Sequence, residues 1–347
     1  MKIKNLNIGR EFVPKIIAEM SGNHKQSLKR ALKLVDIAAN CGAHFLKLQT
    51  FKAETMTLKM KTGKFVIKNK NSLWRNNSLF DLYKKSAMPW SWHKPIINRC
   101  KKKGIICFST PFDEDSVDFL EELKIPLYKV ASFEITHLPL IEKIAKTKKP
   151  IIISTGMATK KEILEAIQTV RKYNNKKIIL MKCTSAYPAD PKYSNLKTIT
   201  DMRKSFNCEI GLSDHTIGIG SAISSINHGA SIIEKHFTIS KKDGGIDSPF
   251  SLEPFELKML VNESKRAWLS NGKVNYGPSK SEKKSLVFRR SIFLNKDFKK
   301  GEILKLKDIS ILRPKIGLEP KMSKKILGKK AQNNLKKNTP IKIGMFK

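Results

Sequence analysis

Two histidines close two consecutive apolar runs, a spacing that could build a metal site. The run Gly211–His215 ends in Ser-Asp-His, and the next run ends in Glu234-Lys-His236 after one segment long enough for a helix. In such a strand–helix–strand unit the strands are parallel and lie about 4.8 Å apart. His215 and His236 would then converge on one cation that keeps open positions for substrate oxygens. Asp214 and Glu234 are expected to orient the imidazoles; a structural role for each histidine is the alternative.

Other apolar runs end in hydroxyl and ammonium groups. Two lysines, Lys47 and Lys129, lie within such runs. Five successive runs end in a serine or threonine, which gives the set Thr110, Ser132, Ser154, Ser185 and Ser213. Hydroxyls donate hydrogen bonds to anionic oxygens and ammoniums neutralise them, so the set fits a phosphorylated or carboxylated ligand. Any one of these hydroxyls could simply end a strand, but five of them with two lysines favour a ligand site.

Three acids are further candidates. Glu19 ends the first apolar run, Glu134 follows Ser132 by two residues, and Asp247 follows the last run. Most carboxylates are solvated and inert. At a strand end, a carboxyl group could instead act as a general acid or base or bind sugar hydroxyls.

The elements that would position these groups are eight short, β-branched runs. They are Ile16–Met20, His44–Thr50, Ile105–Thr110, Leu127–Ser132, Pro150–Thr155, Ile178–Cys183, Glu209–Asp214 and Ser231–Phe237. Their nearly continuous apolar character is typical of strands buried on both faces. Segments of helical period separate them, and Thr159-x-x-Glu162 is a capping box. This α/β pattern predicts a closed (β/α)8 TIM barrel with its site at the carboxyl ends of the strands. A doubly wound open sheet is the alternative.

Three segments make up the predicted domain organisation. Residues 1–270 form the barrel and catalytic domain, residues 271–287 are a polar linker, and residues 288–347 form a small β-rich domain. In the last segment, Arg290–Leu294, Ile303–Leu306 and Ile309–Leu312 are the predicted strands. The interval 51–89 is too long for an ordinary loop and predicts an excursion over the active face, with a helix near Ser78–Ser86.

The charge is extreme, because 68 basic and 30 acidic residues give +38. The lysines are scattered along the chain, which favours a compositional bias or an anionic small substrate over specific nucleic-acid binding. No apolar run approaches the roughly 20 residues of a membrane span, and the N-terminus has no signal-peptide core. The five cysteines show no CxxC spacing, which is typical of reduced thiols. We therefore expect a cytoplasmic protein without membrane association.

Seven motifs, in order along nearly the whole chain, resemble the sialic acid synthase family. They are Gly22-Asn23-His24, Lys47-Leu-Gln-Thr50, Phe108-Ser-Thr-Pro-Phe112, Lys129-Val-Ala-Ser-Phe-Glu134, Ser154-Thr-Gly156, Gly211-Leu-Ser-Asp-His215 and Glu234-Lys-His236. The tail from about Val287 resembles the antifreeze-like (SAF) domain of that family. Within the family, Gly245–Pro254 and Met88–His93 resemble the pseudaminic acid synthase branch.

The resemblance implies a transferase that condenses phosphoenolpyruvate with the open-chain aldehyde of an amino sugar. For this branch the sugar is 2,4-diacetamido-2,4,6-trideoxy-altropyranose, and the products are pseudaminic acid and phosphate. N-acetylneuraminate synthase and legionaminic acid synthase are the alternatives within the family. A non-catalytic, polyanion-binding barrel is the alternative outside it.

The resemblance also implies residue roles. His215 and His236 hold a divalent cation, Mn²⁺ or Mg²⁺. Phosphoenolpyruvate is held by Lys47, Thr110, Lys129, Ser132, Ser154, Ser185 and Ser213. The sugar or its reacting hydroxyls face Glu19, Gln49, Glu134, Tyr187 and Asp247. Of these, Glu19, Glu134 and Lys129 join the two histidines as candidate catalytic residues. The family implies a domain-swapped homodimer in which Arg313 of the small domain reaches the partner's active site.

Overall fold

Eight parallel strands close into a barrel, as the alternating apolar runs predict. The computed structural model describes residues 1–70 and 72–347. A short hairpin, β1 (Lys2–Ile3) and β2 (Leu6–Asn7), comes first. The barrel strands are β3 (Lys15–Glu19), β4 (Phe45–Thr50), β5 (Ile106–Pro111), β6 (Tyr128–Val130), β7 (Ile151–Ser154), β8 (Ile178–Cys183), β9 (Glu209–Asp214) and β10 (Ile232–His236). Because β10 pairs with both β9 and β3, the sheet closes on itself. The TIM barrel is confirmed, and the open sheet is wrong.

Helices fill the connections between the barrel strands, and a last helix follows β10. They are α1 (Leu28–Asn40), α2 (Ala53–Met56), α3 (Leu79–Ser86), α4 (His93–Lys103), α5 (Glu114–Glu122), α6 (Leu138–Lys146), α7 (Lys160–Lys172), α8 (Lys197–Phe206), α9 (Gly220–Asn227) and α10 (Pro254–Asn271). The capping box of Thr159 and Glu162 is present at the start of α7. Ser78 accepts a hydrogen bond from the Asp81 backbone, which starts α3 where the sequence predicts a helix.

The barrel interior has two layers of different chemistry. The lower layer is apolar and consists of Ile17, Phe45, Phe108, Leu127, Ile152, Ile179, Met181 and Ile232. Ile3 and Ile8 pack against this layer and close the amino end of the barrel. The next layer of inward positions, towards the carboxyl ends of the strands, is polar except for Cys183. It consists of Glu19, Lys47, Thr110, Lys129, Ser154, Cys183, Ser213 and Glu234. Because side chains alternate with a period of two, one pleat step converts the apolar floor into the chemical layer.

A second compact unit, Lys273–Lys347, follows the first unit, Met1–Gly272. It contains an antiparallel pair, β11 (Ser291–Leu294) and β12 (Ile309–Leu312), and a short helix, α11 (Ser323–Ile326). Its own core is Ile292, Leu294, Phe298, Leu304, Ile326, Ala331, Ile341 and Phe346.

Two details of the second half of the chain differ from the expectations. The predicted strand Ile303–Leu306 is wrong, because Ile303 makes only an isolated bridge to Lys330 and a 3-10 turn covers Leu306–Asp308. The Asp308 carboxylate accepts the Lys305 backbone N–H at 2.9 Å and closes this turn locally. Within the predicted linker 271–287, a 3-10 helix begins at Glu282. No helix among the described residues combines the length and apolar character of a membrane span.

Candidate active site

A cavity of about 350 Å³ opens at the carboxyl ends of the barrel strands. Twelve of the predicted site residues line it: Lys47, Gln49, Lys129, Ser132, Glu134, Ser154, Ser185, Tyr187, Ser213, His215, His236 and Asp247. Two more contact Lys47 from neighbouring strands, Glu19 at 3.1 Å and Thr110 at 3.3 Å. Arg313 is exposed and belongs to the second unit. The first unit thus brings together the whole predicted set except Arg313.

Four charged groups form the base of the cavity. The Lys47 ammonium lies 3.1 Å from Glu19 Oε2 and 3.2 Å from Glu234 Oε1. The Lys129 ammonium lies 3.4 Å from Glu234 Oε2, and all four side chains are nearly fully buried. Glu234 therefore bridges both lysines, a role that the sequence analysis missed when it placed this acid beside the histidines. Buried charges of this kind persist only because each has a partner.

The mutual contacts set the protonation of this base. Burial opposes charge on Lys47, but the carboxylates of Glu19 and Glu234 together raise its pKa. Burial likewise opposes charge on Glu234, and the two ammoniums outweigh it and lower its pKa to about 2. The pKa of Lys129 is lowered, because burial exceeds the attraction of Glu234. Two ammoniums and two carboxylates thus offset one another in the base of the cavity before any ligand arrives.

Asp214 does not orient the histidines, which corrects the expectation. Its carboxylate lies 3.0 Å from the Lys235 ammonium and also accepts hydrogen bonds from Thr216. Both Asp214 and Lys235 are one residue away from inward-facing positions, Ser213 and Glu234, so the pleat turns them away from the barrel interior.

The two candidate metal ligands lie side by side at the mouth of the barrel. The rings of His215 and His236 are 5.3 Å apart. His215 Nδ1 lies 3.0 Å from the Thr184 carbonyl oxygen; as an N–H it donates there and leaves Nε2 free to ligate. His236 Nδ1 is buried without a hydrogen-bond partner among the described residues and lies 3.6 Å from Asp247 Oδ2. The pair fits a divalent cation with two imidazole ligands and open positions. Among the described residues, no group of three or more histidine, cysteine or acidic side chains is arranged to hold a metal.

Glu134 and Ser154 present unused polar atoms at the cavity. Glu134 Oε2 and Ser154 Oγ are buried and have no hydrogen-bond partner among the described residues. Burial raises the pKa of Glu134 to about 7, against the smaller opposing effects of a backbone hydrogen bond and Lys129. Since buried polar groups are almost always paired, these atoms indicate where a ligand would bind.

The other half of the cavity is apolar, and sequence reasoning missed most of it. Met56, Ile67 and Trp74 come from the excursion that follows β4, and Phe112 and Ile246 come from other connections. The Trp74 indole N–H donates to the Ile246 carbonyl at 2.9 Å and so ties two connections together. The signal in the sequence was the unusual length of the 51–89 interval, which gave no way to tell which side chains would face inward.

Tyr187 and Cys183 complete the wall beside the histidines. The Tyr187 ring lies 4.5 Å from the His215 ring and 5.5 Å from Trp74. Cys183 Sγ lies 3.8 Å from His215 Nδ1 and lines the cavity, although the sequence analysis assigned the cysteines no role there. Its inward position at the end of β8, two residues after Met181, is the signal that could have found it.

Comparison with known proteins agrees with this geometry. A model of the NeuB family matches residues 34–276, and a model of the SAF domain matches residues 289–347. A pseudaminic acid synthase of Helicobacter pylori is 42% identical over 330 residues, covering 94% of this chain and 96% of its own. An N,N'-diacetyllegionaminic acid synthase of Campylobacter jejuni is 40% identical over 331 residues, covering 94% and 98%.

The solved structures give the same answer. The N-acetylneuraminic acid synthetase of Leptospira borgpetersenii, determined in complex with citrate, has a TM-score of 0.73 at 31% identity, covering 82% of this chain and 94% of its own. The resemblance to the sialic acid synthases is confirmed: the chain belongs to the NeuB family, and a SAF domain follows its barrel.

Proposed function

We propose that this chain condenses phosphoenolpyruvate with the open-chain form of 2,4-diacetamido-2,4,6-trideoxy-altropyranose, giving pseudaminic acid and phosphate. The observation that carries the proposal is the base of the cavity, where two buried lysines share one carboxylate beside a pair of histidines. Such a base suits a small substrate that bears one phosphate and one carboxylate. The 42% identity to a pseudaminic acid synthase favours this sugar.

In the proposed mechanism the charged base holds phosphoenolpyruvate. Lys47 and Lys129 neutralise its anionic groups, and the Ser154 and Ser213 hydroxyls donate to its oxygens. A divalent cation held by the two histidines would supply Lewis-acid polarisation of the sugar aldehyde. A bond forms between C3 of phosphoenolpyruvate and the aldehyde carbon, water adds at C2, and phosphate leaves as the C2–O bond breaks.

Glu134 is the proposed general acid and general base of these reaction steps. A carboxyl group with a pKa of about 7 is present in both protonation states near neutral pH. It can therefore give a proton to the oxygen that becomes a hydroxyl and take one from the attacking water. Glu19, Gln49, Tyr187 and Asp247 are proposed to contact the sugar.

A panel of sugars tests the proposal. Purified protein is incubated with phosphoenolpyruvate, Mn²⁺ and one sugar at a time, and released phosphate is measured. The altrose derivative should give the highest kcat/KM. Release only with N-acetylmannosamine would move the assignment to N-acetylneuraminate synthase. Preference for the precursor of legionaminic acid would favour the second candidate, which the 40% identity to a legionaminic acid synthase supports. No release with any sugar would favour the polyanion-binding barrel.

We further propose that two chains form the domain-swapped dimer. Four large apolar side chains are exposed in the connections after β6, β7, β8 and β9, which all leave the same end of the barrel: Phe133, Met157, Tyr193 and Ile217. In the second unit, Leu312 next to Arg313 is also exposed. A second copy that covers these residues would explain their exposure.

Because phosphoenolpyruvate is a cytoplasmic metabolite, we place the enzyme in the cytoplasm.

Arg313→Ala tests the dimer. Because Arg313 makes no ion pair among the described residues, we expect its loss to change the unfolding free energy by less than about 0.5 kcal/mol. Turnover should fall at least about tenfold, as for loss of one charged ligand contact. Mixing this variant with His236→Ala should restore part of the activity, since one of the two mixed sites would be intact. An unchanged rate in Arg313→Ala would contradict the swapped arrangement.

A further inference from the structure

The apolar half of the cavity faces the charged base but carries different chemistry. Three of its side chains, Met56, Ile67 and Trp74, come from the excursion between β4 and α4 and are only partly buried. Leu82 and Ile246 extend the same surface. A partly exposed apolar surface that lines a cavity is available to a ligand and gains free energy when an apolar group covers it.

Trp74 is the residue of this surface that contacts both Ile246 and Tyr187. Its one polar atom, the indole N–H, is already used by the Ile246 carbonyl at 2.9 Å. Its ring lies 5.5 Å from Tyr187, whose own ring lies 4.5 Å from His215. The indole therefore offers the cavity a hydrocarbon face close to the reacting end. Its hydrogen bond also fixes Ile246, the residue before Asp247.

We propose that Trp74 is a specificity-determining residue that, with Met56 and Ile67, receives the methyl groups of the sugar. The inference rests on the proposed function and adds what the site recognises: the C6 methyl and the acetamido methyls. A sugar with a hydroxyl in their place would lose hydrogen bonds to water and gain none from these side chains. A pocket of this kind discriminates by roughly 10- to 200-fold for each such group.

The test compares Trp74→Ala with a matched control, Trp268→Ala. Trp268 is also half-buried and also donates its indole N–H to a backbone carbonyl at 2.9 Å, that of Arg10, but it does not line the cavity. KM and kcat are measured for phosphoenolpyruvate, the altrose derivative and N-acetylmannosamine. Trp74→Ala should raise KM for the altrose derivative at least about tenfold and leave KM for phosphoenolpyruvate within about twofold. Trp268→Ala should change neither.

A second variant separates the ring from its hydrogen bond. Trp74→Phe keeps an aromatic face and loses the bond to Ile246, so its KM for the altrose derivative should lie between those of the wild type and Trp74→Ala. The kcat/KM ratio of the altrose derivative to N-acetylmannosamine should fall at least about tenfold in Trp74→Ala. An unchanged ratio would overturn the inference. An equal rise in KM for phosphoenolpyruvate and in KM for the altrose derivative would also overturn it.

The inference and the proposed function fail in different ways. If the wild type turns over another 2,4-diacetamido-2,4,6-trideoxyhexose instead of the altrose derivative, the proposed function is wrong. The Trp74 variants then still test methyl recognition with that sugar. If the wild type uses N-acetylmannosamine as well as either methyl-rich sugar, the inference itself is overturned.

Discussion

The two halves of the cavity are built in different ways. The charged half stands on barrel strands, where Glu19, Lys47, Lys129 and Glu234 occupy inward positions and neutralise one another. The apolar half stands on connections, and the Trp74 hydrogen bond is a tie between two of them. Rigid strands hold groups more precisely than loops, while loops change without loss of the fold. The comparison suggests that the barrel carries the chemistry common to several sugars and that the connections carry the choice among them.

If the two halves of the cavity have these different roles, variants in each half should have different effects on turnover. A change in the charged half should lower turnover with every sugar in equal proportion. A change in the apolar half should alter the ranking of the sugars instead, as proposed above for Trp74.

Lys47→Met should have the largest effect. It removes the ammonium between Glu19 and Glu234, and we expect turnover to fall at least about 10³-fold with every sugar. Because two carboxylates lose a partner, the unfolding free energy should fall by about 3–5 kcal/mol, measured by urea denaturation. As a control, the double variant with Glu19→Gln should recover part of that free energy and none of the turnover. Turnover within tenfold of the wild type for any one sugar would contradict the assignment of the charged half to chemistry common to all sugars.

His236→Ala should have the second largest effect. We expect about a 10²-fold loss of turnover with all sugars and weaker Mn²⁺ binding, because one of the two proposed imidazole ligands is gone. Calorimetric titration with Mn²⁺ measures the binding in the absence of substrate. His228→Ala, at the end of α9 and outside the cavity, is the control. Full turnover of His236→Ala in the presence of Mn²⁺ would contradict the metal assignment.

Glu134→Gln should show a pH-dependent effect on stability. Burial raises the folded-state pKa of Glu134 from 4.5 to about 7, so the folded protein holds a proton that the unfolded chain has released. The wild type therefore loses stability as pH rises through this window, and the glutamine variant does not. The variant should gain about 2–3 kcal/mol relative to the wild type between pH 4.5 and 8. Denaturation at several pH values measures this, and a constant difference would show that the carboxyl is not perturbed.

Ser154→Ala should have the smallest effect. Among the residues that the structure describes, its buried hydroxyl has no hydrogen-bond partner, so removal should change the unfolding free energy by less than about 0.5 kcal/mol. KM for phosphoenolpyruvate should rise about 3- to 10-fold, as for one lost hydrogen bond of ordinary strength, and KM for the sugar should not change. The Trp74→Ala variant is predicted to do the reverse. Equal changes in KM for phosphoenolpyruvate and for the sugar would contradict the division of roles between the two halves.

Much of the charged half could be predicted because it follows the pleat. The apolar runs fix eight strands, and a spacing of two places Lys47 and Lys129 inside the barrel, above Phe45 and Leu127. The same rule, applied strictly, would have turned Asp214 outward. The bridge that Glu234 makes between two lysines could not be predicted, because it depends on side chains reaching across the barrel from strands that are far apart in sequence.

The apolar half was harder to predict for a different reason. Its residues sit in a connection with little periodic pattern, where local sequence does not determine which side chains face a cavity. Trp74 reaches the Ile246 carbonyl across 172 residues of chain. The hairpin of β1 and β2 was missed as well, because two-residue strands leave almost no pattern in a sequence.

That hairpin has a consequence for kinetics. Ile3 and Ile8 close one end of the barrel, and the Ile8 backbone N–H donates to the Met1 carbonyl at 2.7 Å within the same hairpin. Ligands therefore reach the cavity from the carboxyl ends of the strands. A ligand that binds nearer the apolar layer has to enter first and leave last. We therefore expect phosphoenolpyruvate to bind before the sugar and phosphate to leave after the sugar acid, an order that product-inhibition patterns would reveal.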